Sequence, residues 1–228
     1  MADFALCNAA SVLTLQGPAG PRRGGAMSDL GRVEGGAVVV LDGKVAWVGP
    51  TSEMPADYDA VERRDVAGMT VMPALVDSHT HLVWGGDRRD ELELRLAGAD
   101  YEEIFAKGGG ILSSVRQTRA ASDDALYEAA LGRVRRMQSA GTTTFEIKSG
   151  YGLDRQTELR QLQVVARLRE AGVRCKATCL AAHAIPAEYR GSDAKREQFV
   201  SNVVEDILPA VAEANLAQYV DVFCDRGA

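Results

Sequence analysis

Histidine is scarce in this 228-residue chain, confined to His79, His81 and His183. Cysteine stops at four (Cys7, Cys175, Cys179, Cys224), too few and mostly in apolar runs, so free thiols in a reducing compartment are expected rather than a disulfide framework. No apolar run approaches the roughly 18 residues of a membrane-spanning helix. Met1-Ala2-Asp3-Phe4 lacks the basic stretch and apolar run of a signal peptide. Basic charge is also short. Lys and Arg number 26 against 32 Asp and Glu, a net −6 that offers nothing to nucleic acid or an anionic membrane. What is present is ordinary for a soluble globular protein, 46% hydrophobic and 25% charged. The expectation is a cytoplasmic protein that binds neither nucleic acid nor membrane.

Residues 1–69 read as β. Phe4–Leu15 and Ala37–Val48 are rich in Val, Leu and Ala, and Asp42-Gly43 between two apolar runs is a strong hairpin signal. The Gly/Pro/Arg-rich Gly17–Gly36 reads as a loop, and the whole as a small antiparallel unit too thin to stand alone. From residue 70 the rhythm becomes strand then helix. Strands are expected over Thr70–Asp77, Thr142–Lys148, Arg174–Ala181 and Tyr219–Cys224. Helices are expected over Asp90–Ala97, Tyr101–Lys107, Ile111–Ala121, Asp123–Ala140, Asp154–Ala171 and about Lys195–Ala214. Such alternation indicates an α/β fold with a parallel sheet and crossover helices. A doubly wound dinucleotide fold would need a Gly-rich strand-to-helix turn, and Gly108-Gly109-Gly110 follows no strand. The remaining architecture is an incomplete TIM-type (β/α)8 barrel of about four βα units over 70–228, preceded by part of a small β-sandwich domain over 1–69. A complete barrel takes roughly 250 residues, so 70–228 is expected to be about half of one.

His79-Thr80-His81 closes the first barrel strand. Residues i and i+2 of a strand share a face, so both imidazoles can converge on one ion at the strand's carboxyl end, where barrel active sites lie. A metal role is weighed against two histidines that merely pack. His183 follows the third strand and is open between a third ligand, a substrate-facing donor and a hydrogen-bonded loop residue. Glu146 and Lys148 share a face and can pair with each other. Tyr151, between two glycines after a strand, has a phenol free to meet a ligand. Arg88, after the first strand, could grip a carboxylate or lie solvated on the surface. Cys175, Cys179 and His183 follow at intervals of four. On a strand that spacing spans roughly 13 Å, too far for the two thiolates to share one ion.

The motifs together carry a resemblance. They are HTHLVWGGDR (His79–Arg88), GGGI (Gly108–Ile111), GTTTFEIKSGYGL (Gly141–Leu153), CLAAHAIP (Cys179–Pro186) and VDVFCD (Val220–Asp225). The strand MPALVD before His79-Thr80-His81 resembles the metal-dependent amidohydrolase superfamily, and the fuller set is similar to the imidazolonepropionase family. Ala74 stands where Gly is common in the superfamily. The resemblance implies one divalent metal ion, Zn or Fe, with His79 and His81 among its ligands. It implies that Arg88, Tyr151 and His183 bind 4-imidazolone-5-propanoate, with Arg88 on the propanoate. Hydrolysis of the cyclic amide to N-formimidoyl-L-glutamate in histidine degradation is the implied reaction, by attack of metal-activated water on the ring carbonyl. In the family a third histidine ligand and the acid/base Glu lie on the next strand, and later strands supply further ligands. The 228 residues are therefore expected to be an N-terminal half, inactive alone, with homo-oligomerisation an open possibility. Another amidohydrolase activity, a deaminase or a different cyclic amidase, and a non-catalytic fragment are the alternatives.

Overall fold

The computed structural model describes residues 3–98 and 109–224. The helix expected over 101–107, Gly108 and Asp225 lie outside them. Contacts divide the chain into two compact units, Met1–Ala74 and Leu75–Ala228.

The first unit is one sheet. Its strands are β1 (Phe4–Leu13), β2 (Arg32–Leu41), β3 (Lys44–Pro50), β4 (Glu62–Asp65) and β5 (Thr70–Val71). Their order is β3-β2-β1-β4, with β5 also on β1. The β2–β3 hairpin turns on Asp42 and Gly43, with φ of 50° and 73°. Two successive left-handed residues match the right-handed strand twist, which is why Asp-Gly stands here. The antiparallel unit expected from sequence is corrected by the structure, which is partly parallel. β4 and β5 pair with β1 in parallel, because the chain crosses 51–61 before returning along its other edge. β2 also begins at Arg32, inside the stretch read as loop, where pairing with β1 overrides the weak strand preference of Gly35 and Gly36. Small clusters fill each face: Ala5, Cys7, Ala37 and Val39 in one, Ala9, Val12 and Val38 in the other.

The strand expected over Thr70–Asp77 is in fact two. Thr70–Val71 completes the first sheet, and β6 (Leu75–Thr80) opens the second. Pro73, with no N–H to give a ladder, lies between them.

The second unit alternates strand and helix. After β6 come α1 (Arg89–Leu96), α2 (Ile111–Ala120), α3 (Asp123–Ser139), β7 (Thr142–Lys148), α4 (Arg155–Glu170), β8 (Arg174–Ala182), α5 (Asp193–Asn202), α6 (Leu208–Glu213) and β9 (Tyr219–Val222). The strands lie in chain order β6-β7-β8-β9, all parallel. Helix starts follow their caps. Ser122 accepts from Ala125 N at 3.2 Å, Asp154 from Thr157 N at 2.7 Å and Ser192 from Lys195 N at 3.3 Å. The single helix expected over 195–214 is split by a π-helical turn at Val203–Ile207. Pro209 removes one i→i−4 donor just beyond it, a sufficient cause for the break.

One core joins helices and sheet. Leu126, Ala130 and Val134 of α3 and Leu162, Val165 and Leu168 of α4 pack with Phe145 and Ile147 of β7 and Cys175, Ala177 and Cys179 of β8. The period of two then sends Glu146 and Lys148 to the opposite face. Among the described residues, no helix is long and apolar enough to cross a membrane.

Candidate active site

The carboxyl ends of β6, β7 and β8 bring one aromatic cluster together. His81 stacks on His183 with ring centroids 4.8 Å apart and planes 9° from parallel. Tyr151 meets both edge-on, 5.0 Å from His81 and 5.3 Å from His183. His79 lies 5.7 Å from His81. The side chains come from a strand end and two loops, each positioned by the same parallel sheet. Phe223, after β9, adds an edge 6.2 Å from His183.

The electrostatics favour neutral imidazoles. Burial, with His183, His79 and Lys148 nearby, lowers the His81 pKa to about 4. Burial also lowers that of His183, against the opposing pull of its contact with the Gly150 carbonyl. His183 Nδ1 lies 2.8 Å from that oxygen, an arrangement that leaves Nε2 facing away as the acceptor if Nδ1 carries the proton. Among the described residues, His81 Nδ1 is buried with no hydrogen-bond partner. An orphaned ring nitrogen is costly in a packed interior and is what a metal ligand presents. His81 thus fits as a nitrogen ligand, with the His79 ring beside it. Among the described residues, no group of three or more His, Cys, Asp or Glu is placed to hold an ion.

Lys148 takes the pairing that its spacing allowed. Its Nζ donates to Glu146 Oε1 at 2.7 Å and to Asp221 Oδ2 at 2.9 Å. The two carboxylates hold the ammonium above its ordinary pKa despite burial, and Lys148 holds Asp221 below its own. Asp221 went unnoticed in the sequence, although as the middle residue of Val220-Asp221-Val222 it stands out on an apolar strand. Cys175 and Cys179 are buried free thiols, and burial pushes Cys179 up to about 11.

Arg88 stands at the start of α1, its side chain 45% exposed and loosely paired with Glu91 at 3.9 Å. Its charge reaches Tyr151, lowering a phenol pKa that burial raises. The preceding loop is pinned by Arg133, which donates to the carbonyls of Leu82 at 2.7 Å and Trp84 at 3.0 Å and lies 3.6 Å over the Trp84 ring. Two more residues support the site and went unread: Glu158 and Gln161 of α4, both fully buried. Their signal was polar residues on the same helical stripe as Leu162 and Val165.

Residues 36–60 match the family model of the imidazolonepropionase-like composite domain of bacteria. The chain is 50% identical over 194 residues to imidazolonepropionase of Cupriavidus pinatubonensis, covering 85% of this chain and 45% of that protein. It is 44% identical over 236 residues to imidazolonepropionase of Chloroflexus aggregans, covering 99% and 55%. The chain is a relative of imidazolonepropionase. It spans about half the length of the imidazolonepropionases it matches. Among solved structures, guanine deaminase from C. acetobutylicum aligns with all of this chain and 47% of its own, at 15% identity and a TM-score of 0.54. At that identity the likeness is one of fold alone, a mixed α/β architecture with a parallel sheet.

Proposed function

We propose that the protein is an imidazolonepropionase, hydrolysing the cyclic amide of 4-imidazolone-5-propanoate to N-formimidoyl-L-glutamate in histidine degradation. The four parallel strands are then the first four of a (β/α)8 barrel. The observation that carries the reading is the cluster of His81, His183 and Tyr151 at the carboxyl ends of three strands, with His81 Nδ1 buried and unpartnered. His79 and His81 would hold one divalent ion, Zn or Fe, whose chemistry when bound is to acidify water and polarise the ring carbonyl.

The chain's own residues bind and orient. Among the described residues Arg88 has one ion pair, long at 3.9 Å from Glu91, so a substrate carboxylate can displace that contact at small cost. Tyr151 and His183 face the same space as His81 and present a phenol and a ring nitrogen to the substrate's polar edge. Their burial excludes water from one side of that space and strengthens each contact made there. The Lys148 ammonium, bound to two carboxylates, keeps positive charge near the histidines and supports their neutral form.

The test is metal content and substrate turnover on the same samples of the intact protein, wild type and His79→Ala/His81→Ala. Stoichiometric metal with turnover in the wild type, and loss of both in the double variant, is expected. Metal and turnover retained in the double variant would overturn the ligand assignment. A wild type that turns over a purine or another cyclic amide in place of the imidazolone would overturn the substrate assignment.

A further inference from the structure

The loop that carries Tyr151 is folded around a buried carboxyl group of the protein itself. Glu158 is 0% exposed, in the first turns of α4. Its Oε1 accepts from the backbone N–H of Gly152 and of Leu153, each at 2.8 Å, and its Oε2 from that of Gly150 at 3.1 Å. Three backbone N–H groups offer this carboxyl a hydrogen, and these bonds oppose the burial that pushes its pKa above the ordinary carboxylate value. The converging donors come from residues 150, 152 and 153, and the residue they skip is Tyr151.

Steric fit repeats the point. Gly150 has φ +105°, and a Cβ there would lie 2.9 Å from both His183 Nδ1 and the Leu180 carbonyl. A Cβ on Gly152 would lie 2.7 Å from Glu158 N and 2.9 Å from Glu158 Oε1. Leu153 holds φ +58°, a left-handed conformation that a non-glycine residue keeps only when its surroundings enforce it. Gln161, one turn along α4, spans two loops. Its Oε1 accepts from Tyr151 N at 3.3 Å and its Nε2 donates to the Val83 carbonyl at 2.6 Å. The Gly150 carbonyl in turn meets His183 Nδ1 at 2.8 Å.

We infer that Glu158, with Gln161, is a positioning residue of the substrate site: its buried carboxyl group fixes the 149–153 loop and thereby sets Tyr151 and His183 against His81. This deepens the proposed function and rests on it for the kinetic readout only. Glu158→Gln replaces one acceptor oxygen by an NH₂ that faces N–H donors, so the loop must open at that corner.

Two measurements test it. In the wild-type chain, amide hydrogen exchange is expected to be slow at Gly150, Gly152 and Leu153. In Glu158→Gln these three amides should exchange at least about tenfold faster, with the core amides of Phe145 and Leu162 unchanged. In the intact protein, Glu158→Gln should raise KM for 4-imidazolone-5-propanoate by about tenfold or more. A merely structural role would lower the active fraction, and so kcat, with KM unmoved. In a Tyr151→Ala background the same substitution should add less than about threefold, because its target is already gone. Gln161→Ala, which leaves the Glu158 carboxyl in place and removes the acceptor of Tyr151 N and the donor to the Val83 carbonyl, serves if Glu158→Gln fails to fold, and should raise KM by a smaller factor. Unchanged exchange at the three amides, unchanged KM, or full additivity with Tyr151→Ala would each overturn the inference. A wild type without turnover refutes the proposed function instead, and the exchange measurement then decides the role of Glu158 alone.

Discussion

Removing the Lys148 ammonium should destabilise the second unit through the carboxylate it leaves behind. Lys148 is 7% exposed and Glu146 14%, whereas Asp221 is 40% exposed. Glu146 Oε2 has no partner, so Lys148 is the group that compensates this buried charge. Lys148→Met strands it, a loss of about 3 kcal/mol at the lower end for broken buried pairs. The Asp221 arm, open to solvent, adds no more than about 1 kcal/mol. In the double variant with Glu146→Gln the stranded charge is gone, so a Lys148–Glu146 coupling of about 2 kcal/mol is expected. The assay is urea denaturation in a Trp47→Phe background, where Trp84 is the sole remaining tryptophan and reports the second unit. The pH dependence has two signs. Asp221 is held below its ordinary 3.8, so its contribution is present above that value and lost as pH falls through the lowered one. Lys148 is held above its ordinary 10.5, so its contribution is present below that value and lost as pH rises through the raised one. Between about pH 5 and 9 the coupling should be flat. A coupling below about 0.5 kcal/mol at pH 7 would refute the reasoning.

Arg88→Met should raise KM for the carboxylate-bearing substrate by about 10- to 100-fold, the worth of a charged hydrogen bond, and leave stability almost unchanged. Initial-rate kinetics and a urea curve on the same variant check both halves. Gly150→Ala forces an L residue to φ +105° against the Leu180 carbonyl and His183. It should cost at least about 1–2 kcal/mol and shift the His183 ring signals in a proton NMR spectrum. Leu126→Ala empties a fully buried position on α3 and should cost about 2–5 kcal/mol, read from Trp84 fluorescence in urea.

Much of the fold was legible in the chain. The bounds of β7, Thr142–Lys148, follow from a helix stop at Ala140-Gly141 and an apolar alternation, and the Asp42-Gly43 turn announces its hairpin by the φ it requires. Helices α3 and α4 end where Ser, Asp and Gly predict, because capping is a local matter. The spacing His79-Thr80-His81 alone places both imidazoles at one strand end. Other features depended on partners distant in sequence. Parallel pairing of β4 and β5 with β1, and the division of Thr70–Asp77 between two sheets, are set by which edge each strand reaches. The stacking of His81 on His183 joins residues about a hundred apart, and no spacing rule connects them. Asp221 and Glu158 look like ordinary acids in the sequence. Folding alone brings Asp221 to the Lys148 ammonium and closes three backbone donors around Glu158. Local chemistry determined where strands, turns and caps lie and which side chains share a face. Tertiary packing decided which charges are buried and who compensates them, because desolvation depends on what the rest of the chain brings alongside.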